Sequence, residues 1–254
     1  MRQLFLLAAV FTLVGNSCKT GNNHNHAENT GIKTVCPVVE TVPVHSTPGE
    51  DAADDPAVYI NPTNPAKSWI IGTNKKAGLH IYDLQGNELN YLPVGLVNNV
   101  DVRYGFTLKN GQKIDLAGAS NRSFNGITLL KVNVDSTTLD TILASPIISN
   151  VDEVYGFCMC HNATTNKHYA IVNGKNGQIE QWELMATENH QIEARLAYTY
   201  KVPSQPEGMV ADDENGLLYV GEENHGIWRF ELGTQNPPAF VAQSDTSIPT
   251  LLTI

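Results

Sequence analysis

Two sets of charged residues recur along this 254-residue chain at spacings that could do chemistry. The first is acidic or phenolic: Asp54, Asp55, Asp101, Asp152, Glu153, Tyr155 and Glu207. The second holds the bases Lys75, Lys76, Arg122 and Lys175, joined by Glu222 and Glu223. The intervals agree: Asp54 to Lys75 is 21 residues, Asp101 to Arg122 is 21, and Tyr155 to Lys175 is 20. Carboxylates crowded together repel, and their pKa values rise unless a cation compensates. Ca2+ is suited to that task, because it takes about six to eight oxygens from carboxylates, carbonyls and water. Lys and Arg beside such cations make an anion site, and the planar Arg fork suits phosphate. Taken singly, each residue is an ordinary loop residue in a surface salt bridge. Recurring in register, they define a site.

Positioning them requires a repeat. Strand-like runs end in a polar turn, and a glycine reopens the chain at Gly78, Gly126, Gly177 and Gly226, intervals of 48, 51 and 49 residues. A period near fifty with strand, turn and strand in every copy points to propeller blades. No window sustains a helical period, so the reading is all-β, with four-stranded antiparallel blades. In blade 1 the expected strands are Ala57 to Ile60, Trp69 to Thr73, Leu79 to Leu84 and Glu88 to Val94; blade 2 has strands at 113–119 and 127–134. In such a meander, the loop leading into the first strand and the turn between the second and third share one end. The acidic set lies in the lead-in loops and the basic set in the second turns, so all are expected around one mouth.

Composition narrows the partners. Lys plus Arg number 16 against 26 Asp plus Glu, a net charge of -10, which excludes a general nucleic-acid surface. Residues 1–18 read as a signal peptide: Met1-Arg2-Gln3, an apolar run from Leu4 to Gly15, then Gly15-Asn16-Ser17-Cys18, similar to a bacterial lipobox. The chain is therefore expected to be exported (secreted, periplasmic or an outer-membrane lipoprotein), touching membrane only through a lipid on Cys18. Residues 19–33 read as a flexible linker, and 34–254 as the propeller domain. The four cysteines give no disulfide framework. Cys158, Cys160 and His161 have metal-like spacing, but the apolar run around them favours buried thiols.

The residues that carry the pattern also carry a family resemblance. D-A-A-D-D-P-A at Asp51, T-N-K-K-A-G-L at Thr73, N-N-V-D-V-R-Y at Asn98 and A-S-N-R-S at Ala119 resemble the β-propeller phytases, calcium-dependent phosphatases of myo-inositol hexakisphosphate. D-E-V-Y-G-F at Asp152, the G-K-N-G turn at Gly174, E-G-M-V-A-D-D-E at Glu207 and L-Y-V-G-E-E at Leu218 complete the match. The resemblance implies a six-bladed fold, of which about four blades are present, so an incomplete domain is expected. It implies several calcium ions, with Asp54, Glu207 and Glu223 holding catalytic ones. Asp55, the Val100 carbonyl and Glu40 would hold structural ones. Lys75, Arg122, Tyr155 and Lys175 would contact substrate phosphates, with Lys76 as helper. The implied reaction is hydrolysis of phytate or related inositol polyphosphates by a calcium-activated water, in a monomer. Two other functions share the fold: a non-catalytic propeller that binds an anionic ligand, and a calcium-dependent lactonase. A lactone has no need of Lys75, Arg122 and Lys175 together; a polyphosphate does.

Overall fold

A computed structural model describes residues 36–47 and 49–244, so the expected leader and linker lie outside the described residues. The chain forms four successive sheets, the blades. Blade 1 contains β1 (Ala53–Tyr59), β2 (Trp69–Asn74), β3 (Gly78–Tyr82) and β4 (Glu88–Leu92). Blade 2 contains β5 (Val97–Thr107), β6 (Lys113–Asn121), β7 (Gly126–Asn133), β8 (Thr138–Thr141) and β9 (Ile147–Ile148). Blade 3 contains β10 (Val154–Asn162), β11 (Lys167–Gly174), β12 (Gln178–Ala186) and β13 (Ile192–Lys201). Blade 4 contains β14 (Pro206–Asp212), β15 (Leu217–Glu222), β16 (Gly226–Glu231) and β17 (Ala239–Gln243). Each is an antiparallel meander in chain order, as the repeat required. Blade 2 departs in one respect: its outer strand is broken in two, with β8 and β9 pairing to opposite ends of β7. The first strand of blade 1 also starts earlier than expected, at Ala53 in place of Ala57, because Ala53 and Pro56 already pair with β2 on either side of the acidic residues.

The recurrent glycines are explained by the outermost strand. A side chain at Gly78, Gly126, Gly177 or Gly226 would collide with the carbonyl of Leu92, Ile147, Val202 or Ala242 respectively. Gly177 also has a φ of 85°, which L residues rarely adopt. The turn can therefore be tight only where Cβ is absent.

Blades pack face to face through alternate strand residues. Ile71, Leu79 and Ile81 meet Val100, Ala117 and Ala119 between blades 1 and 2. Leu116, Ile127 and Leu129 meet Phe157, Met159 and Val172 between blades 2 and 3. Cys158, Cys160 and Ile171 meet Leu218, Val220 and Phe230 between blades 3 and 4. Removing a Leu- or Ile-sized side chain from water contributes about 1.5–3 kcal/mol, so these seams fix the blades' relative placement. Among the described residues no comparable packing joins blade 4 back to blade 1. Two equivalent glycines show the difference. A Cβ on Gly156 would strike the Glu207 carbonyl of the next blade, whereas one on Gly208 in blade 4 would meet nothing.

Candidate functional site

One irregularity builds the site. In every blade the register slips at the start of the first strand, so that one extra residue is accommodated there. Ala53 pairs with Asn74 and Pro56 with Gly72; Val97 with Asn121 and Val100 with Ala119. Val154 pairs with Gly174 and Phe157 with Val172; Pro206 with Glu222 and Met209 with Val220. Such bulges re-aim side chains beside functional sites. The first bulge residue is Asp54, Asn98, Tyr155 or Glu207, and the second is Asp55, Asn99, Gly156 or Gly208.

A second repeated contact sets the turns against the bulges. The backbone N–H of Lys75 donates to Ala52 O (2.7 Å), Arg122 to Leu96 O (2.8 Å), Lys175 to Asp152 O (3.1 Å) and Glu223 to Gln205 O (3.1 Å). Lys75, Arg122, Lys175 and Glu223 are thus structural equivalents, three bases and one acid. The end-sharing expected from strand alternation holds in all four blades.

The basic turns differ in how they are held. Lys75 Nζ lies 2.6 Å from Asp51 and 3.1 Å from Asp54. Burial works against its charge, but those two carboxylates outweigh it and keep the ammonium pKa above its ordinary value. Lys76 pairs with Glu50 at 3.6 Å. Lys175 pairs with Glu153 at 2.6 Å and stands over the Tyr155 ring, 5.2 Å from its centroid. Arg122 forms no ion pair among the described residues. Its Nη2 donates to the Lys75 carbonyl (3.1 Å), and its Nε is buried without a partner.

The carboxylates show the reverse. Asp55, Glu207 and Glu223 have no Lys, Arg or His within ion-pair distance among the described residues, whose salt bridges lie elsewhere. Burial pushes Asp55 up to about 6, with Asp54 and Asp101 adding repulsion, although Val100 N–H donates to its Oδ2 at 2.9 Å. Burial also raises Glu207, and the charges of Asp54 and Glu223 add to the effect. Tyr155 is held above the usual phenol range by burial and by the charges of Glu207 and Glu223, so it is a neutral O–H donor to Glu207. Hence Asp54, Tyr155, Glu207 and Glu223 feel one another across three blades.

Three expected positions, Glu222, Asp101 and Glu40, behave differently, while the two strand thiols are buried as expected. Glu222 is turned inward and buried, accepting from Ser204 N (2.6 Å) and Trp228 Nε1 (2.7 Å), so it ties down the lead-in loop and leaves the mouth to Glu223. Asp101 points into the neck below the mouth, pairing with Arg103 at 2.9 Å. Arg103 also reaches Asp213 of blade 4 at 3.0 Å. Cys158 and Cys160 are buried free thiols, with burial driving both pKa values up, Cys160 to about 12. Glu40 is exposed, and its carbonyl lies against Gly86 in the β3–β4 turn, at the other end of the blade. Three contributors escaped sequence reasoning: Asp51, Asn98 and the Arg103 brace. Aligning the repeats on the bulge would have found Asn98.

Donor chemistry at the mouth suits a hard cation, because the uncompensated groups are all oxygens. They are not drawn into a ready cage: no cluster of three metal-binding His, Cys, Asp or Glu side chains occurs among the described residues. Asp54 leans on Lys75, Glu207 on Tyr155 and Asn98, and Glu223 on Gln205.

Comparison with known proteins agrees with this geometry. The sequence profile of the family described as Phytase matches residues 2–243. A 3-phytase from Bacillus subtilis is 46% identical over 195 residues, covering 75% of this chain and 50% of the relative. The chain thus spans half the length of that curated relative. In fold, it is similar to a functionally unknown protein from Desulfotomaculum acetoxidans, with a TM-score of 0.52 at 18% identity over 76% of this chain and 56% of the other. The chain belongs to the phytase family, and its blades are those of a β-propeller.

Proposed function

We propose that the chain hydrolyses phosphomonoesters of phytate in a calcium-dependent reaction that releases inorganic phosphate. One observation carries this reading: the mouth leaves unpaired charges of both signs, Arg122 on one side and Asp55, Glu207 and Glu223 on the other. A phosphate met by cations satisfies both sets at once.

Each residue has a task set by its position. Arg122 offers its guanidinium charge to the phosphate, held in place by Nη2 on the Lys75 carbonyl. Lys75 and Lys175 turn from their carboxylates to the substrate oxygens, and Lys76 adds charge behind them. Tyr155 keeps its proton and donates it as a hydrogen bond, either to Glu207 or to a phosphate oxygen. Asp54, Glu207 and Glu223 hold catalytic calcium; Asp55 and the Val100 carbonyl, already neighbours, hold a structural ion, with Glu40 serving another at the far end. When bound, calcium supplies positive charge and makes a coordinated water more acidic. Most of the rate gain then comes from positioning and charge stabilisation, as phosphoryl transfer requires.

In the same proposal residues 1–18 direct export and 19–33 form a tether, with membrane contact only through Cys18. The soluble part works as a monomer on inositol polyphosphates, without nucleic acid. The test is phosphate release from phytate by this chain, with added calcium and with chelator. Release that depends on calcium supports the reading; release unaffected by chelator, or none in either condition, overturns it.

A further inference from the structure

Asn98 stands at the position where the other three blades place Asp54, Tyr155 and Glu207. It is fully buried, with 0% of its surface exposed. Its amide orientation is fixed, because Nδ2 donates to Asn99 Oδ1 (3.1 Å) and to Glu207 Oε1 (3.3 Å). A flip would set an oxygen against two acceptors. Fixed this way, Oδ1 is left buried with no partner at all. A buried acceptor without a donor carries the full desolvation penalty of that group, and such groups in native proteins have a reason.

The surroundings limit what could satisfy it. Asn98 Nδ2 thereby ties Asn99 of its own blade to Glu207 of blade 4, while Asp55 of blade 1 is held nearby by the Val100 N–H. Neither Asp55 nor Glu207 has a Lys, Arg or His within ion-pair distance among the described residues, so the oxygens gathered there lack a cationic partner. A neutral amide oxygen beside two such carboxylates is a typical hard-cation ligand.

Resting on the calcium reading above, we propose that Asn98 is a further ligand: its Oδ1 coordinates the cation held by Glu207, and its Nδ2 orients the Glu207 carboxylate. The bulge position then contributes to the mouth from all four blades.

The experiment compares wild type, Asn98→Ala, Asn98→Ser and Asn98→Asp by calorimetric titration with calcium chloride, alongside thermal unfolding with and without chelator. Asn98→Ala should weaken the mouth site about tenfold or more, the scale on which supporting groups affect metal affinity. Asn98→Asp keeps an oxygen but loses the donor to Glu207. It should melt earlier in chelator and recover with calcium, showing a larger calcium-induced shift than wild type. If Asn98 only braced Glu207, both variants would lose affinity and Asp would gain no extra shift; that result overturns the inference and leaves the calcium reading standing. Should Asn98→Ala fail to fold, Asn98→Ser and Asn98→Asp give the same contrast. A wild-type chain that binds no calcium overturns both.

Discussion

The mouth and the neck of this propeller both gather carboxylates from different blades, and they solve the repulsion differently. In the neck, Arg103 Nη1 donates to both oxygens of Asp101, Nε donates to Asp213, and the Met159 N–H donates to Asp101. Burial pushes Asp101 up, and the guanidinium and backbone donor pull it back. The neck is bridged within the chain, one guanidinium serving two carboxylates with Asp213 Oδ1 left over, and it joins blade 2 to blade 4. A layer above, Asp55 and Glu207 are buried as well, yet their nearest partners are neutral donors and other acids. Arg122 there has no ion-pair partner among the described residues and is anchored on the Lys75 carbonyl. The difference teaches where matter from outside belongs: charge matched within the chain is structure, and charge left unmatched in a fixed frame awaits ligand.

Substitutions should separate the two layers. Arg103→Met leaves Asp101 and Asp213 together without their shared cation. It should lower stability by about 3 kcal/mol, the low end for a broken buried pair, because Arg103 is slightly exposed. Chemical denaturation measures this, and a change below about 1 kcal/mol would mean that the neck is not a brace. Arg122→Ala should do the opposite, leaving stability intact while kcat/KM for phytate falls about a hundredfold or more. Arg122→Lys should not restore it, since an ammonium lacks the planar fork.

Calcium extends the contrast. At a hundred times its dissociation constant, it should raise stability by about 2.7 kcal/mol in both wild type and Arg103→Met, because none of the proposed calcium ligands lies in the neck. Equal melting with calcium and with chelator, in a sample shown to be loaded, would contradict this.

The pH response is smaller and has a defined sign. Asp55 has its folded pKa raised from 3.8 to about 6, so the native state holds the extra proton between those values. Stability of the chelated protein should therefore fall as pH rises from 4 to 6, and Asp55→Asn should flatten that slope. His168, near the neck, has the opposite sign. Burial lowers its pKa below 6.5, with its Nε2 hydrogen-bonded to Tyr104 O, so its contribution is lost as pH falls below that value. Urea midpoints across pH for each variant would resolve the two slopes.

The smallest effect belongs to a carboxylate shared by two exposed bases. Lys167 and Arg195 both reach Glu183 on blade 3, at 2.6 and 2.8 Å. Lys167→Ala should cost less than about 1 kcal/mol and leave phytate turnover unchanged. A larger loss would show that charge pairing anywhere on this fold matters, weakening the distinction drawn between mouth and neck.

Much of this was legible in the sequence, for a physical reason. Glycines at 78, 126, 177 and 226 mark turns too tight for a side chain, so the period of the fold appears directly in residue identity. The shared end of lead-in loops and second turns followed from strand alternation alone. What alternation could not show was an added residue. The bulge shifts each first strand by one position, and a one-residue shift changes the face to which a side chain points. This is why Asp101, expected at the mouth, lies in the neck, and why Asn98, overlooked between Val97 and Asn99, lies at the mouth. Repeat spacing alone does not separate Glu222 from Glu223; the family resemblance singles out Glu223, and Glu222 is the one turned inward.

The most direct test of the account is equilibrium binding of a non-hydrolysable polyanion, myo-inositol hexasulfate, to wild type and Arg122→Ala, each with calcium and with chelator. Unmatched charges of both signs should make binding depend on calcium and on Arg122 together, with either loss reducing affinity about tenfold or more. Binding equally tight in chelator and in Arg122→Ala would contradict it, and the mouth would then be no more than a polar surface.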